Sequence, residues 1–157
     1  MQYFSKTARI LLLTIFVPLV LTACGAKKMN FAFVGTAKAE FRSAGDVTGV
    51  PWDILTDSDD DVLATLTQDG DEVTLRFGNT ALLKNCELKA KNSRLSAEIA
   101  EGAICETDIA GVSRTVKISG GEIYIHDNKD IISTSIKVYG SSDRDQFDLN
   151  FEGKSAK

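Results

Sequence analysis

Three aspartates at alternate positions, Asp57, Asp59 and Asp61, form a dense group of oxygen ligands in this chain of 157 residues. Calcium gathers six to eight oxygens, and a D-x-D-x-D run brings several carboxylates close together. The rest of a calcium loop is missing: Val62 stands where its glycine belongs and Gln68 where its bidentate glutamate belongs. The run therefore reads as a solvated acidic loop, with a looser calcium contact as the weaker alternative. His126 is the only histidine. No serine lies in a G-x-S-x-G turn, so the chain spells out no base and nucleophile pair. His126 falls beside a turn, on the polar face of its hairpin, and reads as a surface side chain. No carboxylates pair as acid and base, and Gly120-Gly121 reads as a hairpin turn, not as a phosphate loop. Trp52, next to Pro51 and outside a regular strand pattern, serves either packing or a binding surface. These residues imply neither an enzyme nor a resident metal or cofactor.

The elements that must position them are strands. Apolar residues recur with period two and no long amphipathic helix pattern appears. Phe31, Phe33, Gly35, Ala37, Ala39 and Phe41 share one side of a first strand. A turn at Asp69-Gly70 predicts Leu66 opposite Val73, Ala64 opposite Leu75 and Val62 opposite Phe77, all on one face. A turn at Gly120-Gly121 predicts Ile118 opposite Ile123 and Val116 opposite Ile125. A turn at Asn128-Lys129 predicts Ile132 opposite Ile125 and Thr134 opposite Ile123. Cys86, Leu88 and Ala90 alternate with charged residues, Leu95, Ala97 and Ile99 alternate with Ser96 and Glu98, and Phe147, Leu149 and Phe151 mark a last strand. The fold class is therefore all-β: one antiparallel sandwich, or a small barrel or meander, of roughly eight or nine short strands.

The first 23 residues stand apart from that domain. Lys6 and Arg9 form a basic start, and residues 10–21 are nearly all apolar but interrupted by Pro18. The run is too short for a membrane span of about 20 residues and fits the apolar core of a secretion signal. It ends in Leu21-Thr22-Ala23-Cys24-Gly25. This resembles the lipobox of bacterial lipoproteins. The resemblance implies cleavage between Ala23 and Cys24, diacylglycerol on the Cys24 thiol and an acyl group on its new amine (palmitate is the expected chain). It also implies a domain held outside the cytoplasm. Gly25 in place of aspartate favours the outer membrane by the enteric sorting rule. The organisation is then signal 1–23, lipidated tether 24–30 and β domain 31–157.

That address bears on the remaining cysteines. Cys86 and Cys105 in an oxidising compartment most simply form a disulfide, and closing a loop of about 20 residues contributes roughly 3 kcal/mol. If a strand over 95–99 separated them, they would lie about 9.6 Å apart, beyond the ~7 Å that bridged Cα atoms reach. The bridge therefore requires a bulge, a crossing between sheets, or Cys105 in a turning segment. The rival reading as metal ligands lacks a nearby histidine at the usual spacing.

Net charge is −4, and both charges in the signal are basic, so the mature domain is more acidic still. Nucleic acid, which demands basic patches, is not an expected partner. The membrane is, through the anchor, together with an envelope protein or polymer. A non-catalytic binding or structural module fits these features first. The alternatives are a carrier of a small apolar ligand, which needs a barrel cavity, and an inhibitor of a secreted hydrolase. For the latter, Ser119-Gly120-Gly121-Glu122-Ile123-Tyr124 loosely resembles the Ser-Gly-x-x-Tyr motif of lipoprotein lysozyme inhibitors, with the tyrosine one place late.

Overall fold

A computed structural model describes residues 28–43, 54–92, 96–143 and 145–155. The described chain is strands joined by turns: β1 (Met29–Ser43), β2 (Ile54–Asp69), β3 (Glu72–Gly78), β4 (Leu88–Asn92), β5 (Ser96–Ile99), β6 (Ile104–Ile109), β7 (Val112–Asn128), β8 (Ile131–Ser142) and β9 (Asp145–Ser155). All pair antiparallel in one sheet, in the order β5-β4-β3-β2-β1-β9-β8-β7-β6, and a further β5–β7 pairing closes the ring. β5 and β6 lie end to end along one edge of β7. β5 pairs Gly121 to Tyr124, and β6 pairs Val112 to Lys117. The Gly102 N–H donates to the Ile118 carbonyl and the Ile118 N–H to that of Ala103, both at 2.8 Å, which carries the ladder between them. The result is a barrel of eight staves, each joined to the next in sequence. This is the barrel and meander form of the expected all-β class, although β1, β2 and β7 run to 15, 16 and 17 residues and are not short.

An eight-strand barrel is just wide enough inside for its own side chains. Phe33, Phe41, Phe147 and Phe151 are buried along the axis. The Phe41 and Phe147 rings lie 5.4 Å apart and those of Phe77 and Phe151 5.6 Å apart. Alternate residues face out, and most of these are polar, among them Lys38, Thr65, Lys89, Lys137, Asn150 and Glu152, with Val34, Ile104 and Tyr139 as apolar exceptions. A membrane-spanning barrel carries its apolar band outside and its polar residues within; this wall has the reverse polarity.

The hairpins kept their expected faces but not their expected registers. Leu66 pairs with Leu75 and Ala64 with Phe77, so the turn is Gly70-Asp71. Gly70 has φ 62°, the left-handed geometry that a II′ turn demands at its first central position. The turn moves one residue, and the register moves two, which leaves the buried face intact. The β7–β8 hairpin does the same: Ile125 pairs with Thr134 and Ile123 with Ile136, around Lys129-Asp130. One expectation fails outright. Gly120-Gly121 is not a turn but lies inside β7, at a bulge where Ser119 is skipped in the pairing with β8. A Cβ on Gly121 would overlap the Lys137 carbonyl oxygen and crowd Ile99 from the other side. Glycine there lets β7 bend and pass closely between two neighbours. The hairpin turn that does lead into β7 is Ala110-Gly111, with φ 52° and 79°, the pair of positive φ angles of a type I′ turn.

Candidate functional site

The barrel has two unlike ends. At the entry end, where β1 begins, lie the Gly70-Asp71 and Lys129-Asp130 turns. At the far end lie the β6–β7 turn and the segment 79–87 between β3 and β4. The chemistry-bearing residues gather at the far end, because the sheet is incomplete there. β3 covers β2 only from Leu63 onward, so among the described residues no strand pairs Ile54 to Val62 on that side. β6 approaches across the gap, and 79–87 runs beside it: Lys84 and Glu106 exchange backbone hydrogen bonds of 2.8 and 3.0 Å, and the Asp108 N–H donates to the Ala81 carbonyl at 2.8 Å.

The acidic run closes this gap. Asp61 has φ 57° and is the extra residue of a bulge between Val62 and Asp59, opposite Thr36. Short polar aspartate is among the few residues that tolerate this conformation. The bulge reverses the alternation. Asp57 and Asp59 then stand opposite Ala39 and Ala37, on the side that faces the barrel mouth. Asp57 accepts the Ser58 N–H at 2.8 Å and, from β6–β7, the Ala110 N–H at 2.9 Å. These two donors, Ala110 first, hold its carboxyl below the usual range. Asp59 accepts the Thr80 hydroxyl at 2.6 Å. Asp60 accepts that of Thr36 at 2.8 Å. The carboxylates thus diverge to separate partners. Among the described residues no three His, Cys, Asp or Glu side chains group to hold a metal.

The disulfide belongs to the same closure. Cys86 and Cys105 are bridged with Cα atoms 5.0 Å apart. Cys86 lies ahead of β4, not in a strand, within the segment that runs beside β6. β4 and β5 are short, five and four residues, so no strand separates the cysteines at this level and the distance problem disappears. Over the mouth, the Arg114 guanidinium lies 4.9 Å above the Phe41 ring and pairs with Asp145. Sequence reasoning missed Arg114, Asp145 and Thr80, since their partners come from distant strands and no local spacing marks them.

The other expected residues lie elsewhere. His126 is exposed on the outer wall, opposite Ser133, beside an open groove of about 800 Å³ that also includes Val34, Thr36, Glu152 and Lys154. Ser119 to Tyr124 forms part of the barrel wall and does not project. Tyr124 donates to Glu122 at 2.9 Å, and that carboxylate raises its phenol above the usual range. Ala23, Cys24 and Trp52 fall outside the described residues.

No protein-family model and no curated protein matches the chain. Among solved structures it is similar to Ail, the attachment invasion locus protein of Yersinia pestis, at 11% identity and a TM-score of 0.42, over 82% of this chain and 96% of that one.

Proposed function

We propose that this chain is a lipid-anchored lipoprotein of the cell envelope, probing its surroundings with a non-catalytic barrel that serves as a binding or structural module. One observation carries the reading: the lipobox cysteine, Cys24, stands five residues ahead of β1 of a barrel that is filled inside and polar outside. Two or three acyl chains anchor stably, since each buried methylene contributes about 0.8 kcal/mol. A water-facing wall suits a domain held at a membrane surface and not within it.

The same packing speaks against the alternatives. A carrier needs room along the barrel axis, where Phe33, Phe41, Phe147 and Phe151 are packed. An inhibitor that plugs a cleft needs a protruding element, and Ser119 to Tyr124 is a flat piece of wall. The enzyme reading has the least to support it: among the described residues His126 is exposed on the outer wall, across from Ser133. The outer membrane is the proposed location, on the strength of Gly25 after the cysteine.

Cys24→Ala tests the anchor. The wild-type protein should fractionate with membranes and incorporate labelled palmitate, and the variant should keep its signal, take up no label and lose the mature mass. A wild-type mature chain that begins elsewhere, or that carries no fatty acid on its first residue, would remove the reading.

A further inference from the structure

The entry end of the barrel carries apolar side chains that its core does not need. Met29 is 42% exposed, Ile125 41% and Ile131 51%. Phe31 and Ile132 lie partly buried against the core at the same end. Register places them together. Met29 pairs with Gln68 beside the Gly70-Asp71 turn, Ile131 with Asn128 beside the Lys129-Asp130 turn, and Ile125 with Thr134 just inside it. Isolated surface apolar residues need no explanation, but Met29, Ile125 and Ile131 at one rim, on the end nearest the lipobox, ask for one.

We infer that this rim seats in the bilayer interface, the glycerol and upper acyl region of the phospholipids. The inference rests on the anchor reading above. Four peptide units separate Cys24 from Lys28, and fully extended chain spans about 3.5 Å per residue, so Lys28, next to Met29 of the rim, lies within roughly 14 Å of the acylated cysteine. β1 then carries the far end away from the bilayer over 15 residues. The charges nearby are of both signs: Lys28, Lys129 and Lys154 against Asp69, Asp127 and Asp130. Attraction to anionic lipid is therefore not the driving force. Burial of the exposed apolar surface is.

The test uses the full-length protein, lipidated in cells, purified and placed in phosphatidylethanolamine and phosphatidylglycerol vesicles. Ile131→Trp in a Trp52→Phe background gives a single fluorophore at the rim, and Met29→Trp in the same background is a second if the first fails to form its disulfide. An interfacial apolar face lies about 5–10 Å deep, within reach of bromines on the upper acyl chain, so roughly half the emission should be lost to brominated lipid. Quenching by aqueous acrylamide should fall, and neither effect should change at high salt. Trp52→Phe alone, which leaves no tryptophan, gives the background emission. Emission untouched by brominated lipid, in protein whose intact mass shows acylated Cys24, overturns the inference and leaves the anchor standing. Shielding from acrylamide without lipid quenching means that a second copy or another protein covers the rim, and also overturns it. Absence of the acyl mass removes both readings at once.

Discussion

The two ends of the barrel are closed by different means. At the entry end the ladder runs nearly to the turns: Asp69 pairs with Glu72 and Asn128 with Ile131, and two residues reverse the chain in each case. Backbone hydrogen bonds do the closing. At the far end β4 and β5 have stopped, and closure falls to side chains: the Cys86–Cys105 bridge, the Asp57 and Asp59 carboxylates, and Arg114 over Phe41 beneath its pair with Asp145. A continuous ladder can be closed by any sequence with the right turn residues. A gap in the ladder leaves an edge that would pair with another chain, and it can be sealed only by particular side chains brought from several strands. The acidic run also blunts that edge, because charged residues disfavour the addition of a further strand.

The bend in β7 joins the two regimes, since one half of the strand serves β5 and the other serves β6. Gly121→Ala should therefore have the largest effect. Its Cβ would meet the Lys137 carbonyl, backbone that cannot swing aside, and a destabilisation of about 3 kcal/mol or more is expected. Denaturant unfolding, or failure to recover folded protein, reads it. Next is the double variant Cys86→Ser, Cys105→Ser. Loss of a bridge across 19 positions should cost roughly 3 kcal/mol. Hydrogen exchange should locate the loosening in 79–87 and β6, with the Gly70 and Lys129 turns unaffected. Uniform loosening of both ends would erase the distinction between them.

The same division decides what could be read in the sequence. The entry-end hairpins were legible in the property that matters most. Val62, Ala64 and Leu66 share a face with Val73 and Leu75, because a register error of two residues preserves side-chain parity. Only the turn was displaced, by the demand for Gly70 at the left-handed position. The far end was legible in its parts and not in its assembly. The two cysteines outside the lipobox announced their bridge, while the path that permits it depends on β4 and β5 ending early. Alternation counted back from Val62 turns Asp57 and Asp59 outward, and the bulge at Asp61 turns them to the mouth. An aspartate in the left-handed region leaves no trace in hydrophobic periodicity. The two glycines of β7 misled for the same reason: a close approach between strands and a tight turn both call for glycine.

Asp57 offers a smaller and more local test. Its carboxyl is held below the usual range by the Ala110 and Ser58 N–H groups. The folded state therefore binds protons less readily than the unfolded chain. The stabilisation is complete above the unfolded value of about 3.9 and is lost as pH falls through the lower folded value. Asp57→Asn should flatten the decline in stability below about pH 4. Glu87, lowered by Lys89 and then by Arg76, should keep part of that decline in the variant. A curve identical to wild type would mean that the carboxylate does not hold the β6–β7 turn in solution. A steeper one would mean that it repels its neighbours.

Two buried threonines give the smallest effect and the sharpest contrast, because the two ends predict opposite signs. Thr134, toward the entry end, is 2% exposed and donates to the Tyr124 carbonyl at 2.8 Å. Thr107, in β6 at the stapled end, is fully buried and its hydroxyl has no hydrogen-bond partner. A buried hydroxyl left unpaired costs about 1–3 kcal/mol, while a satisfied one contributes about 0.5–1.5. Valine keeps the shape of threonine and removes only the hydroxyl. Thr107→Val should therefore raise the melting temperature by a few degrees, on the order of 1 kcal/mol, and Thr134→Val should lower it by a similar or smaller amount. The pair is measured in one thermal series. A fall for both would show that Thr107 is satisfied after all, and that the far end, for all its irregularity, leaves no polar group stranded.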